Sequence, residues 1–314
     1  MNRTYSFWGG CTSTIALSLA AFDSPEAAAD YLSSAGADAR FELAYTMSRG
    51  VLNFLEPRLR GKVASVHACC PAAEHFPNFA SENPEVAAES FRDMAETLET
   101  AVRFGAAIAV LHPGYATDCA MPSSFAERKA LLGRPEFLAE IRHAEGAICG
   151  PEYNRTERYR KYALRTMERL GELAERYAER GIRLAAENLN PRVGYLFHTP
   201  DEMVEIAAIH PNLGICLDIG HLYVSSFVYG FDFLEGLREI VSTGKVLSCH
   251  LHGNSSGPAR FRDDHASVDR YGFPIEAILD ILLESGANLV LEAVEEPERN
   301  LRLVERLARG RLKA

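Results

Sequence analysis

Short apolar runs recur along the chain at 5–8, 39–43, 63–67, 106–112, 183–187, 213–218, 246–251 and 288–292. Each is too short for a helix and several are bounded by glycine or polar residues, so together they predict eight strands buried on both faces. Between them, apolar residues return at three- and four-residue spacing over 25–34, 48–59, 84–104, 157–179, 200–209, 233–242, 274–284 and 298–309, which predicts helices. Thr199-Pro-Asp-Glu and Glu82-Asn-Pro-Glu place proline directly after a capping residue, the expected chemistry of a helix start. Strand and helix alternate eight times. The chain is therefore expected to be α/β and to fold over residues 1–314 as a single (β/α)8 TIM barrel.

One connection departs from this rhythm. The segment at about 115–156, after the fourth strand, is far longer than the others and predicts an extended lid loop with an extra helix over 125–144. As a strand-to-helix connection, it should lie over the barrel face where sites form.

The strand ends carry residues that an apolar core does not explain: His67, His112, Glu187, Asp218, His250 and Glu292. Asp218 is followed by His221, and His250 by Asp263-Asp-His265, so loops add donors beside the strand ends. Carboxylates and imidazoles meeting at a barrel mouth would repel or stay unpaired without a cation. Their mixture suits Zn²⁺ first, then Mn²⁺ or Fe²⁺, rather than the all-oxygen preference of Mg²⁺ or Ca²⁺. No organic cofactor is called for. His252 shares a strand face with His250, and Asn188 and Tyr115 directly follow ligand positions, so these three are expected to line the substrate pocket. Arg155 and Arg158 belong to a basic and aromatic cluster near the start of the helix after the lid, where they are expected to hold an anionic group.

Composition narrows the partners. Forty-three acidic against 33 basic residues give a net charge of -10, which argues against duplex DNA and anionic membranes as surfaces to bind. No stretch of about 18 apolar residues is present to span a bilayer. The apolar segment 12–22 lacks the small-residue cleavage pattern of a signal peptide. Seven cysteines with no Cys-x-x-Cys spacing point to reduced thiols and a cytoplasmic protein. The oligomeric state is not legible.

Taken together, Val66-His67, Leu111-His-Pro-Gly114, Ala186-Glu-Asn188, Cys216-Leu-Asp-Ile-Gly-His221, His250-Leu-His252, Asp263-Asp-His265 and Leu291-Glu292 resemble the xylose isomerase-like TIM barrels. That superfamily includes endonuclease IV, of AP endonuclease family 2, and the sugar phosphate isomerase/epimerase group. Resemblance to endonuclease IV implies three metal positions: His67, His112 and Glu187; Glu187, Asp218, His250 and Glu292; and His221, Asp263 and His265. Resemblance to the epimerases implies one metal on Glu187, Asp218, His250 and Glu292, with the two glutamates as the catalytic acid and base. The chain departs from both. It has no clear match for DNA-penetrating loops, and the epimerases' second glutamate and their arginine are replaced by Val193 and Ser256.

Charge separates the two implied reactions. Four carboxylates at Glu187, Asp218, Asp263 and Glu292 leave a one-metal site anionic and a three-metal site positive, and the latter suits a phosphate ester. The first expectation is therefore a polynuclear, zinc-type phosphoester hydrolase acting on a small anionic sugar- or nucleotide-like molecule. The alternative is a one-metal sugar or sugar-phosphate isomerase/epimerase, and the second alternative a non-catalytic metal-binding scaffold.

Overall fold

The computed structural model describes residues 4–6 and 12–311. Eight parallel strands form the barrel: β1 Thr12–Ser18, β2 Phe41–Leu43, β3 Val63–His67, β4 Ile108–Leu111, β5 Arg183–Glu187, β6 Leu213–Asp218, β7 Val246–Leu251 and β8 Asn288–Leu291. β8 returns onto β1 through Leu289↔Ile15 and Leu291↔Leu17, which closes the sheet and leaves it without an edge.

The two-residue period of a strand then sorts the side chains. In β5, Leu184 and Ala186 pack outward against the helices, whereas Ala185 joins Ile108, Val110, Cys216 and Leu247 in a small inner cluster. Glu187 follows Ala185 on that inner side, at the carboxyl end of its strand. The register sets Asp218 directly beside His250.

Three expectations are corrected. The first barrel strand is Thr12–Ser18; of the expected strand at 5–8, residues 7 and 8 lie outside the described residues, and Thr4–Ser6 pairs antiparallel with Thr12–Ser18. The single helix expected over 125–144 is two short helices, Phe125–Leu132 and Pro135–Leu138, followed by a strand at Ile141–His143. Gly133 ends the first helix and Pro135, at a first-turn position, starts the second. An unanticipated helix, Ile219–Tyr229, follows β6 at once. Its glycine, β-branched and aromatic residues disguise the helical period.

Helix starts follow the expected chemistry: Asn83 accepts a hydrogen bond from Glu85 N, and Thr199 with Glu202 forms a capping box. The long connection after β4 is tied to neighbouring loops on the carboxyl face. Met121–Pro122 pairs with His75–Phe76, Ile148 bridges to Arg192, and Tyr115 bridges to Tyr195. Among the described residues no helix is long and apolar enough to cross a membrane. The six described cysteines are free.

Candidate metal centre

The barrel gathers all nine candidate ligands at one end. At the middle is His250, fully buried, whose Nδ1 faces Glu187 Oε2 at 3.6 Å, Glu292 Oε2 at 3.6 Å and Asp218 Oδ2 at 3.8 Å. Donors bound to one tetrahedral ion at about 2.0–2.2 Å stand about 3.3–3.6 Å apart, so these four groups are spaced within a few tenths of an ångström of a ligand set. His250 Nδ1 has no hydrogen-bond partner, an orphaned buried atom that a cation would satisfy.

Asp218 is oriented by the chain's own turn. It ends β6 and caps helix Ile219–Tyr229, its Oδ1 accepting from His221 N at 2.7 Å. The helix's positive end thus steadies the carboxylate and leaves Oδ2 turned toward His250.

On one side lie His67 and His112. His67 Nδ1 donates to the carbonyl of Ala68 (2.9 Å), which leaves Nε2 facing Glu187 Oε2 at 3.0 Å. A bare imidazole nitrogen cannot face a carboxylate oxygen so closely; a proton or a cation must lie between them. His112 Nε2 stands 3.7 Å from the same oxygen. Tyr45 and Phe76 wall this side, with ring centroids 5.4 Å from His67 and 4.8 Å from His112 respectively.

On the other side His221, His252, Asp263 and His265 form a second group whose donor atoms all lie within 4.8 Å of one another. His221 repeats the pattern of His67: Nδ1 donates to the Asn188 carbonyl (3.0 Å) while Nε2 faces Asp263 Oδ2 at 3.3 Å. Fixing one ring nitrogen on a backbone carbonyl and aiming the other at an anionic group is how metal-binding histidines are held. The donors present fit a divalent cation.

The residues expected to line the substrate pocket are placed differently from one another. His252 is fully buried, bonds Asp218 Oδ1 at 3.1 Å and stacks on His265 at 3.8 Å. Gly220 makes room for that ring, since a Cβ there would stand 2.0 Å from His252 Cε1. Asn188 uses both ends of its amide on the backbone of Asp218. Tyr115 is buried with its hydroxyl 3.0 Å from His112 Nδ1. The two arginines do not join the ligand cluster. Arg155 is exposed and pairs with Glu152, while Arg158 bonds the carbonyls of Glu136 and Ala116 and lies over the Phe137 ring.

Glu42 was not among the expected residues. It sits in β2, fully buried, with Oε1 3.1 Å from His250 Nε2 and Oε2 accepting from Ser65 Oγ at 2.6 Å. Its signal was available: a carboxylate in mid-strand between Phe41 and Leu43. Glu42 backs the imidazole whose other nitrogen faces the centre. Glu42→Gln should therefore weaken divalent-cation affinity by about 10–100-fold without unfolding the barrel. A chelator-competition titration checks this, and unchanged affinity would remove Glu42 from the site.

The electrostatics bear on metal uptake. Burial opposes charge on Glu187, yet His250 and His112 hold its carboxyl well below the usual range. Burial likewise opposes charge on His221, but Asp218 and Asp263 carry it up to about 10. His250 is also raised, against the pull of burial, by the surrounding Cys216 thiol and the carboxylates of Glu292, Glu42 and Glu187. Burial pushes His112 down to about 3. Without a cation, His221 and His250 thus keep protons at neutral pH that a bound cation must displace. Since protons leave on binding, affinity should rise from pH 6 to pH 8. Calorimetry in buffers of different ionisation enthalpy should show proton release, and identical heats in both buffers would contradict this account.

Comparison with known proteins follows the same lines. The family profile described as xylose isomerase-like TIM barrel matches residues 41–310. A D-tagatose 3-epimerase-like protein superposes with a TM-score of 0.65 at 19% identity, over 95% of this chain and 99% of that one. The 3-keto-D-glucoside 4-epimerase YcjR from E. coli gives 0.60 at 13% identity, over 95% and 99%. The TTHB071 protein of Thermus thermophilus, from crystals soaked with ZnCl2, gives 0.56 at 20% identity, over 94% and 98%. At such identities the likeness establishes the fold. No curated protein matches in sequence.

Proposed function

Since this chain belongs to the xylose isomerase-like TIM barrel family, we propose that it is a divalent-metal-dependent isomerase or epimerase of a small sugar. The reading is carried by one observation: a buried, unpartnered imidazole nitrogen facing three carboxylates at 3.6–3.8 Å. A bound divalent cation would polarise the sugar's carbonyl and offset the negative charge that develops there. Glu187 and Glu292 then serve as the acid–base pair. One glutamate removes the proton from the carbon next to the carbonyl, and the other returns a proton to the opposite face, inverting that carbon. Glu187 is suited to act as base because its neighbours keep it ionised. The names of the structural neighbours, sugar epimerases among them, support the same reaction class.

Phosphoester hydrolysis is the second reading, favoured by the outer group of His221, His252, Asp263 and His265. The charge balance favours it less than the four carboxylates alone suggest: buried Glu42 adds a fifth beside the centre, and the raised histidines offset carboxylate charge without any metal.

The test is proton exchange. With Mn²⁺ or Zn²⁺ in D2O, a panel of ketoses, aldoses and their phosphates should include a substrate that gains one deuterium beside its carbonyl and yields its epimer or isomer. Hydrolysis of a phosphoester with no exchange on any sugar would replace this reading with the second.

A further inference from the structure

Beside the mouth, the connection after β4 folds around a cavity of about 440 Å³, within the usual range for small-molecule pockets. Its walls are largely apolar, with Phe125, Leu132, Leu138 and Ile141 among them, and Arg128, Lys129, Glu145 and Arg192 supply its charged groups. A smaller space of about 180 Å³ shares Phe125 and Arg192 with it and extends to Asn190 and Asp263. The two spaces thus adjoin through shared lining residues, and the smaller one reaches Asp263 at the rim of the metal centre.

Two features suit these spaces to a ligand. Phe125 is 64% and Leu138 53% exposed, and the two apolar side chains line the same cavity. Arg192, mostly buried, lines both spaces. Its nearest acid is Asp263, with Oδ2 at 3.8 Å. A free hexose, hydroxylated at nearly every carbon, would leave hydroxyls unpaired against the apolar part of these walls.

We propose that this cavity takes an apolar substituent of the substrate, so that the enzyme acts on a sugar carrying an aromatic or alkyl group. The sugar end reaches the metal centre, the apolar group lies against Phe125 and Leu138, and Arg192 donates to the oxygen that joins them. This deepens the isomerase reading and rests on it only for the reacting end.

The test uses the full-length, metal-loaded protein and two ketose probes that keep their carbonyl, 6-O-(4-nitrophenyl)-D-fructose and 6-O-methyl-D-fructose, with affinities read by calorimetry. The aryl ether should bind about tenfold tighter or more. Leu138→Glu and Ala144→Trp, which charge and fill the cavity, should each erase that difference while metal content and melting temperature stay as in the parent. Equal affinities for the two ethers, or an aryl preference that survives both substitutions, would overturn the proposal. Concentration-dependent self-association that both substitutions abolish would also overturn it, by assigning the apolar walls to a second copy of the chain. Because binding is read without turnover, the two readings fail separately. Aryl preference with no exchange on any sugar keeps the cavity and removes the isomerase; exchange on free ketoses without aryl preference does the reverse.

Discussion

Glu187→Gln should strip the centre of metal and lower turnover by about 10³-fold, in the range of a lost general acid–base group. Glu187 Oε2 stands 3.0 Å from His67, 3.7 Å from His112 and 3.6 Å from His250, and Oε1 stands 3.4 Å from His221. A neutral amide keeps the shape but gives up the charge that these four imidazoles surround, and with it the anionic donor shared by the two inner groups. Elemental analysis of the purified variant, with turnover at saturating metal, reads both losses. Full metal content with normal turnover would show that Glu187 bridges nothing.

The second large effect separates the reaction classes. Glu292 lies 3.6 Å from His250 Nδ1 with its side chain 12% exposed toward the mouth, so it touches both the central group and whatever enters. His265 is 30% exposed at the rim, stacked on His252, and meets the central group at Glu292, whose Oε2 stands 3.8 Å from its Nδ1. Glu292→Gln should cost about 10³-fold in turnover, whereas His265→Ala should retain turnover within about tenfold. Losses of similar size in the two variants would mean that the outer histidines take part in the chemistry, as the hydrolase reading requires.

Much of the fold was legible because strands buried on both faces write themselves as short apolar runs. β2 through β8 fall within or against the expected runs, and closure follows from the count. β1 escaped because its first half is Thr12-Ser13-Thr14, polar residues that mask a strand which turns apolar only at Ile15. The site was legible as positions, since imidazoles and carboxylates at strand ends have no place in an apolar core. Its geometry was not. Arg155 and Arg158 were expected near the mouth from where their helix starts, but side-chain direction is not written in spacing, and both are engaged within the long connection. The arginine that does reach the edge of the centre is Arg192, in a loop with no period to single it out. Glu42 carries a signal in the sequence, a carboxylate between two apolar residues, but its place beside His250 depends on a register with β1 and β3 that only closure fixes.

The account turns on a cation held by the four central groups. Crystals loaded with Mn²⁺ or Zn²⁺, measured at the metal's absorption edge, test this directly. The prediction is an anomalous peak within bonding distance of Glu187, Asp218, His250 Nδ1 and Glu292, present at low metal concentration and lost in Glu187→Gln. A peak confined to His221, Asp263 and His265, with none among the central four, would contradict it.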